Sequence, residues 1–264
     1  MPRVTSKDGT SIAFDRAGSG PPLILVDGAL CYRGFGPMQS LASHLSSHFT
    51  VFTYDRRGRG ESANGRPYAV EREIEDLDAL IREAGGEAYA YGASSGGGLA
   101  LEAANRGSAL RKIAVYEPPY VLDDSIAPVP EDYVARLNQL VAAGRRGDAV
   151  KMFMRTVGTP GFFIAIMQVL PMWPKLKGVA HTLAYDFTLM GDGQRGKAFP
   201  PGRWASVRAP VLAMDGGKSP AWMRNSVRSL AQAVPNGRYR TLPGQTHMVK
   251  TKVQVPVLVE FFAA

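Results

Sequence analysis

The twelve residues from Ala88 to Leu99, AYAYGASSGGGL, constrain this chain more than any other stretch. A short apolar run suited to a buried strand breaks at Gly92-Ala93-Ser94-Ser95-Gly96 and resumes as a helix opening on Gly97 and Gly98. A strand can pass into a helix this abruptly only if the residue at the apex takes a strained backbone conformation and the residues two places to either side carry no side chain. That is the G-x-S-x-G elbow, with Ser94 at its apex. It lifts the hydroxyl to the tip of the strand. It also aims the Ser95 amide and the positive end of the following helix at any oxyanion formed on a carbonyl that Ser94 attacks. A plain small-residue turn would use the same letters, so the position of the elbow in the chain has to separate the two.

Strand-like and helix-like text alternates around it. Lys7-Asp8-Gly9 joins Arg3–Ser6 to Thr10–Asp15 as an antiparallel pair. Leu23–Val26, Thr50–Tyr54 and Lys112–Tyr116 are continuous apolar runs, as expected of parallel strands covered on both faces. A helix fits within Phe35–His48, and Val70, Ile74, Leu77, Ile81 and Ala84 recur at helical spacing before Gly85-Gly86 stops them. From about Tyr120 to Ala205 the alternation lapses into helical or irregular text rich in proline. It resumes with a strand at Pro210–Met214, a helix on Met223, Val227, Leu230 and Val234, a strand at Arg238–Leu242 and a helix at Val253–Phe262. This predicts an α/β fold: a mostly parallel eight-stranded sheet flanked by helices, with its site at the carboxyl ends of the strands. The core domain is expected at 1–119 and 206–264, with a helical cap, 120–205, inserted after the sixth strand. The aromatics and methionines of that insertion read mainly as core packing. If it caps the site, some of them, Trp173 included, turn toward the elbow and shape an apolar pocket.

Composition narrows the function classes. A chain of 264 residues with 45% apolar content suits one large domain with an insertion. Its formal charge is +8, but Lys and Arg are scattered and no basic run interleaves with aromatics. The charge therefore reads as solvated surface, and neither a nucleic acid nor a membrane is an expected partner. The opening MPRVTSKDGTS lacks the apolar core of a leader, and the longest apolar run, Gly161 to Leu170, is too short to span a bilayer, so a cytoplasmic location is expected. The single cysteine, Cys31, permits no internal disulfide. Four histidines and one cysteine show no metal-ligand spacing, so no metal and no cofactor is expected. A monomer or homodimer fits this composition equally.

Four features together carry a resemblance: the Gly28 turn after the third strand, the D-x-R-G-x-G-x-S run from Asp55 to Ser62, the Ser94 elbow, and Gly244-Gln245-Thr246-His247 near the end. With them the chain resembles the α/β-hydrolase superfamily over nearly its whole length. The resemblance implies the α/β-hydrolase fold and the chain order nucleophile, acid, histidine, with Ser94 as nucleophile and His247 as base. The commonest pattern places the acid a few residues after the seventh strand, where this chain has Asp215-Gly216-Gly217-Lys218-Ser219-Pro220 with Ser219 at the expected position. A neutral serine cannot stabilise an imidazolium as a carboxylate does. A second family solution puts the acid at the end of the sixth strand, as in some haloalkane dehalogenases and in the fungal lactonases that open the macrocyclic ester zearalenone. Glu117 falls at that point and is the first candidate, with Asp215 the alternative.

Those lactonases are also similar in having Asp-Gly where many members have His-Gly, here Asp27-Gly28. The resemblance implies that this loop supplies a backbone amide to the oxyanion, from Ala29 or Leu30, beside that of Ser95. Asp27 either fixes the turn or faces the pocket. Cys31 and Met248 are further pocket candidates, whereas His44, His48 and His181 occupy positions without catalytic logic. The expected activity is that of a serine hydrolase that cleaves a small, hydrophobic carboxylic ester or lactone through an acyl-enzyme. A serine nucleophile argues against dehalogenase or epoxide-hydrolase chemistry, where resembling proteins use aspartate. The same triad would also serve a carbon-carbon bond hydrolase, a thioesterase or a cofactor-free perhydrolase, and the same fold serves non-catalytic receptors.

Overall fold

The computed structural model describes residues 1–264. Eight strands, β1 (Arg3–Thr5), β2 (Ser11–Ala17), β3 (Pro22–Val26), β4 (Thr50–Tyr54), β5 (Ala88–Ala93), β6 (Leu110–Tyr116), β7 (Val211–Gly216) and β8 (Gly237–Leu242), form one sheet in the order β1-β2-β4-β3-β5-β6-β7-β8. Only the β1–β2 and β2–β4 pairings are antiparallel. The parallel strands are apolar on both faces because each face has its own core, which is why their sequences show no polar alternation. Along β3, Leu23 and Leu25 join the core under α1 (Met38–Leu45) and α10 (Thr251–Ala263), while Ile24 and Val26 join the core under α2 (Val70–Glu83), α3 (Ser95–Asn105) and α9 (Ala221–Ala233). The first helix begins three residues later than the outer limit read from the sequence, because Pro37 stands at its entry and Tyr32 and Phe35 pair with each other ahead of it.

One irregularity sets the phase of the central strands. Ala88 pairs with Leu110 but Tyr89 pairs with Lys112, so Arg111 is an extra residue bulged out of the parallel β5–β6 ladder. Beyond it the pairing runs without slip to Ala93 opposite Tyr116.

Between β6 and β7 the chain builds α4 (Tyr133–Ala142), α5 (Arg146–Thr156), α6 (Gly161–Met167), α7 (Met172–Gly178) and α8 (Leu183–Met190). These helices enclose a third core on Leu137, Val150, Trp173, Leu176 and Leu183, which Leu30 enters from the loop after β3. Reading the insertion's apolar residues as core packing holds for α8, which is buried almost throughout, and fails at α6. A seven-residue helix has one narrow face to bury; Ile164 takes it, leaving Phe162, Phe163 and Ile166 at least half exposed. No helix is long and apolar enough to cross a membrane.

Candidate active site

Ser94 lies between β5 and α3 with φ 53° and ψ −129°, in the left-handed half of backbone space that a side chain disfavours. The turn is held from both ends. The Ser94 amide donates to the Tyr116 carbonyl at 2.8 Å, extending the β5–β6 ladder, and Gly96 is so close to the Val26 carbonyl that an added Cβ would collide with it. The loop after β3 runs directly against the serine: a Cβ placed on Gly28 would stand 2.9 Å from Ser94 Cβ and 3.6 Å from Ser94 Oγ. Leu30 in that loop also has a positive φ, 62°, which a branched side chain tolerates only when its surroundings hold it there.

The β5–β6 register puts Glu117 at the end of the strand beside Ser94. Its backbone is left-handed too, with φ 46°, and its carboxylate is fully buried. Glu117 Oε1 accepts the Gly216 amide at 2.7 Å, and Oε2 stands 2.8 Å from His247 Nδ1. The loop carrying His247 is fastened to the strand ends, since the Tyr116 hydroxyl donates to the Thr246 carbonyl at 2.6 Å and the Lys218 amide to the Gln245 carbonyl at 2.8 Å. The imidazole retains 41% exposure and shares a cavity of about 60 Å³ with Ala93, Tyr91, Tyr116 and Met248. Met248 itself is largely exposed at the rim. Asp215, the alternative acid, is buried elsewhere: its Oδ2 accepts the Tyr239 hydroxyl at 2.6 Å, with Arg224 at 3.7 Å. Of the two carboxylates, the structure brings Glu117 to the histidine.

Asp27 is 2% exposed, with Oδ1 lacking a hydrogen-bond partner, and its carboxylate lies close to Gly36 and Cys31. Burial pushes its carboxyl up to about 7 against the pull of Arg59 and Arg56. The Cys31 thiol is pushed up to about 12, first by burial and then by the charge of Asp27. Trp173, a sequence candidate for the pocket, is packed in the insertion's own core against α5, where a Cβ on Gly147 would meet its ring at 3.4 Å. Its ring is taken up by that core, so a lining role has no geometric support.

The reading of the basic residues as solvated surface is corrected at Arg56, Arg57 and Arg59, which are 1% exposed or less. Each guanidinium is buried against carboxylates, and those of Arg56 and Arg57 meet theirs in matching fork geometry. Arg57 takes Asp76 in two bonds of 2.8 and 2.7 Å, and Arg56 takes Glu73 in two bonds of 2.8 and 2.7 Å. Arg56 and Arg59 also share Asp186 of α8, at 2.7 Å from Arg56 and at 2.8 and 2.7 Å from Arg59. Burial alone would raise the Asp186 carboxyl, but Arg59, Arg56 and the Ser95 hydroxyl outweigh it and hold it below its ordinary value. Asp186 escaped the sequence reading. The available signal was the run of three arginines in five residues directly after a buried strand, more cation than a solvated turn needs. No cluster of three or more His, Cys, Asp or Glu side chains is arranged to hold a metal ion.

Comparison with known proteins gives a consistent picture. The model of the alpha/beta hydrolase family matches residues 11–249. An alpha/beta hydrolase from Sphaerobacter thermophilus DSM 20745 is 54% identical, with a TM-score of 0.91, over 99% of this chain and 100% of that one. The enol-lactonase of Burkholderia xenovorans LB400 is 20% identical with a TM-score of 0.71, and the bromoperoxidase of Bacillus anthracis 19% identical with a TM-score of 0.72, each over 100% of both chains. At those identities the likeness is one of fold. The uncharacterized hydrolase YraK of Bacillus subtilis (strain 168) is 37% identical over 101 residues, so the match spans 36% of this chain and 35% of that protein's length.

Proposed function

This chain belongs to the alpha/beta hydrolase family, and from that premise we propose that it is a serine hydrolase of small, hydrophobic carboxylic esters or lactones. The observation that carries the reading is the 2.8 Å contact between His247 Nδ1 and the fully buried Glu117 carboxylate, one strand away from a serine in elbow geometry. A histidine whose Nδ1 donates to a carboxylate presents Nε2 as a base. His247 takes the Ser94 proton as Ser94 Oγ attacks the carbonyl, and Glu117 orients the ring and balances the imidazolium charge. The amides of Ser95 and of Ala29 or Leu30 receive the oxyanion. His247 then protonates the leaving alkoxide, and a water molecule activated by the same imidazole releases the acid from Ser94.

An acid on the strand beside the elbow and an Asp-Gly loop resemble those of the lactonases named above, which supports including cyclic esters. The test joins intact mass after a fluorophosphonate with hydrolysis of a panel of p-nitrophenyl esters, small lactones and a macrocyclic lactone. One adduct on the wild type, none on Ser94→Ala, and turnover of at least one ester or lactone class is the expected result. A folded wild type that neither takes the phosphonate nor turns over any member refutes the reading and favours a ligand receptor.

A further inference from the structure

Asp186 sits on α8 of the insertion, 3% exposed, and Ser95 Oγ donates to its Oδ1 at 2.7 Å. The same carboxylate accepts from Arg56 and Arg59. Those two guanidiniums hold more than Asp186. Arg59 Nη1 donates to the Gly28 carbonyl at 2.5 Å and to the Cys31 carbonyl at 3.2 Å, while Arg56 Nη1 donates to the Asp27 carbonyl at 3.2 Å. A peptide unit is planar and trans, so fixing a carbonyl fixes the opposed direction of the next residue's N–H. The bond from Arg59 to the Gly28 carbonyl therefore sets the direction of the Ala29 amide, in a loop whose Gly28 lies against Ser94. Glu73 completes the group on the far side of Arg56, so two buried cations meet two buried anions and the cluster is neutral.

We infer that Asp186, through Arg59, Arg56 and the Ser95 hydroxyl, is the residue that positions the oxyanion-binding amides on both sides of Ser94. The inference rests on the reading of Ser94 as the nucleophile. Its consequence is that the oxyanion site is assembled by contact with the insertion: α8 supplies the anion that aligns the arginines, and the insertion's core receives the side chain of Leu30, which keeps its positive φ in the same loop. Asp186 touches none of the reacting atoms. It is a positioning residue, and what it controls is where the donors point when charge develops on the carbonyl oxygen.

The test uses Asp186→Asn, Arg59→Lys and Ser95→Ala in the intact chain, with Arg57→Lys as control, because Arg57 is an equally buried arginine of the same run that holds Asp76 and Asp8 and touches no carbonyl between residues 27 and 31. Arg59→Lys keeps the positive charge but cannot fork to Gly28 and Asp186 together, so it carries the test if Asp186→Asn does not fold. Two readouts are taken: kcat and KM on an activated ester, and amide hydrogen exchange of the peptide covering residues 27–33. The expected result is a fall in kcat of roughly 100- to 1000-fold, the range set by loss of one oxyanion donor. KM moves less than about threefold, and the 27–33 amides exchange at least about tenfold faster while those of β7 and β8 do not change. Arg57→Lys lowers the melting temperature and leaves kcat within about twofold. Unchanged exchange in the loop, or a kcat equal to wild type in folded Arg59→Lys, overturns the inference. Inertness of the wild type toward a fluorophosphonate is a separate result that overturns the assignment of Ser94, while loop exchange still decides the positioning.

Discussion

Asp27 makes the stability of this protein depend on pH in an unusual direction, and replacing it with asparagine isolates the effect. Its carboxyl moves from an ordinary value of 3.8 to about 7 because burial disfavours the charged form more than Arg59 and Arg56 favour it. The folded protein thus keeps Asp27 protonated where the unfolded chain has already released the proton. Between the two values the native state binds more protons than the unfolded one, so stability falls as pH rises: the contribution is complete below 3.8 and lost by the time pH passes 7. Each pH unit in that window is worth about 1.4 kcal/mol, giving ~4 kcal/mol over the whole of it and ~3 kcal/mol between pH 5 and pH 8. The asparagine of Asp27→Asn has no proton to lose but fills the same space, and the bond from Arg56 to the residue 27 carbonyl is a main-chain one that survives. Thermal melts of wild type and Asp27→Asn at pH 5, 6, 7 and 8 separate this from every other titrating group, because those groups are common to both proteins. The variant is expected to gain on the wild type with each step up to about pH 7 and to level off above it, by roughly 5 to 10 °C in all for a chain of this size. Parallel curves would refute the reasoning, showing that the native Asp27 carboxyl titrates where the unfolded one does.

Three further outcomes follow from the geometry. Glu117→Gln keeps an acceptor for the Gly216 amide but cannot balance an imidazolium, so kcat/KM on an activated ester is expected to fall by roughly 10³- to 10⁴-fold, while Asp215→Asn, whose carboxylate faces Tyr239, changes it only a few-fold. Gly28→Ala drives a methyl group to 2.9 Å from Ser94 Cβ; it should cut phosphonate labelling at least about a hundredfold while costing about 1–3 kcal/mol of stability in urea denaturation. Cys31, its thiol pushed up to about 12, should resist a disulfide reagent at pH 8 in the native protein and react fully in denaturant; rapid native labelling would contradict the half-buried, proton-holding thiol.

What the sequence revealed and what it hid divide along the range of the interactions. The elbow, the apolar parallel strands and the helical spacing after Val70 are local patterns, since each residue's neighbours within a few positions determine them, and they reappear as β5, α3 and α2. Glu117 was legible because the end of a strand beside the elbow is a fixed place in a known topology, and the register puts it next to Ser94. Asp186 was not legible. It meets Arg59 across 127 residues and Arg56 across 130, and nothing around it in Leu183–Met190 marks one carboxylate as destined for two guanidiniums. The insertion suffered the same blindness in reverse at α6, where apolar letters predict burial but a short helix at the edge has no second face to pack against. Trp173 shows that hydrophobicity tells a residue to leave water without saying which of two dry places it will occupy.

The bulge at Arg111 works as a vernier for the far end of the sheet. Side chains along a strand alternate with a period of two, so one residue added or removed reverses the facing of everything downstream. Arg111 is that added residue, and its own side chain is exposed and pairs with Glu87, which is exposed as well. Six positions on, roughly 20 Å away at the rise of a strand, the count it sets decides whether residue 117 lands carboxylate-first on His247 or one step out of phase with it. The protein thus keeps the phase of its proposed catalytic site at the opposite end of the strand, in a residue whose chemistry is free to drift so long as its place in the count is kept.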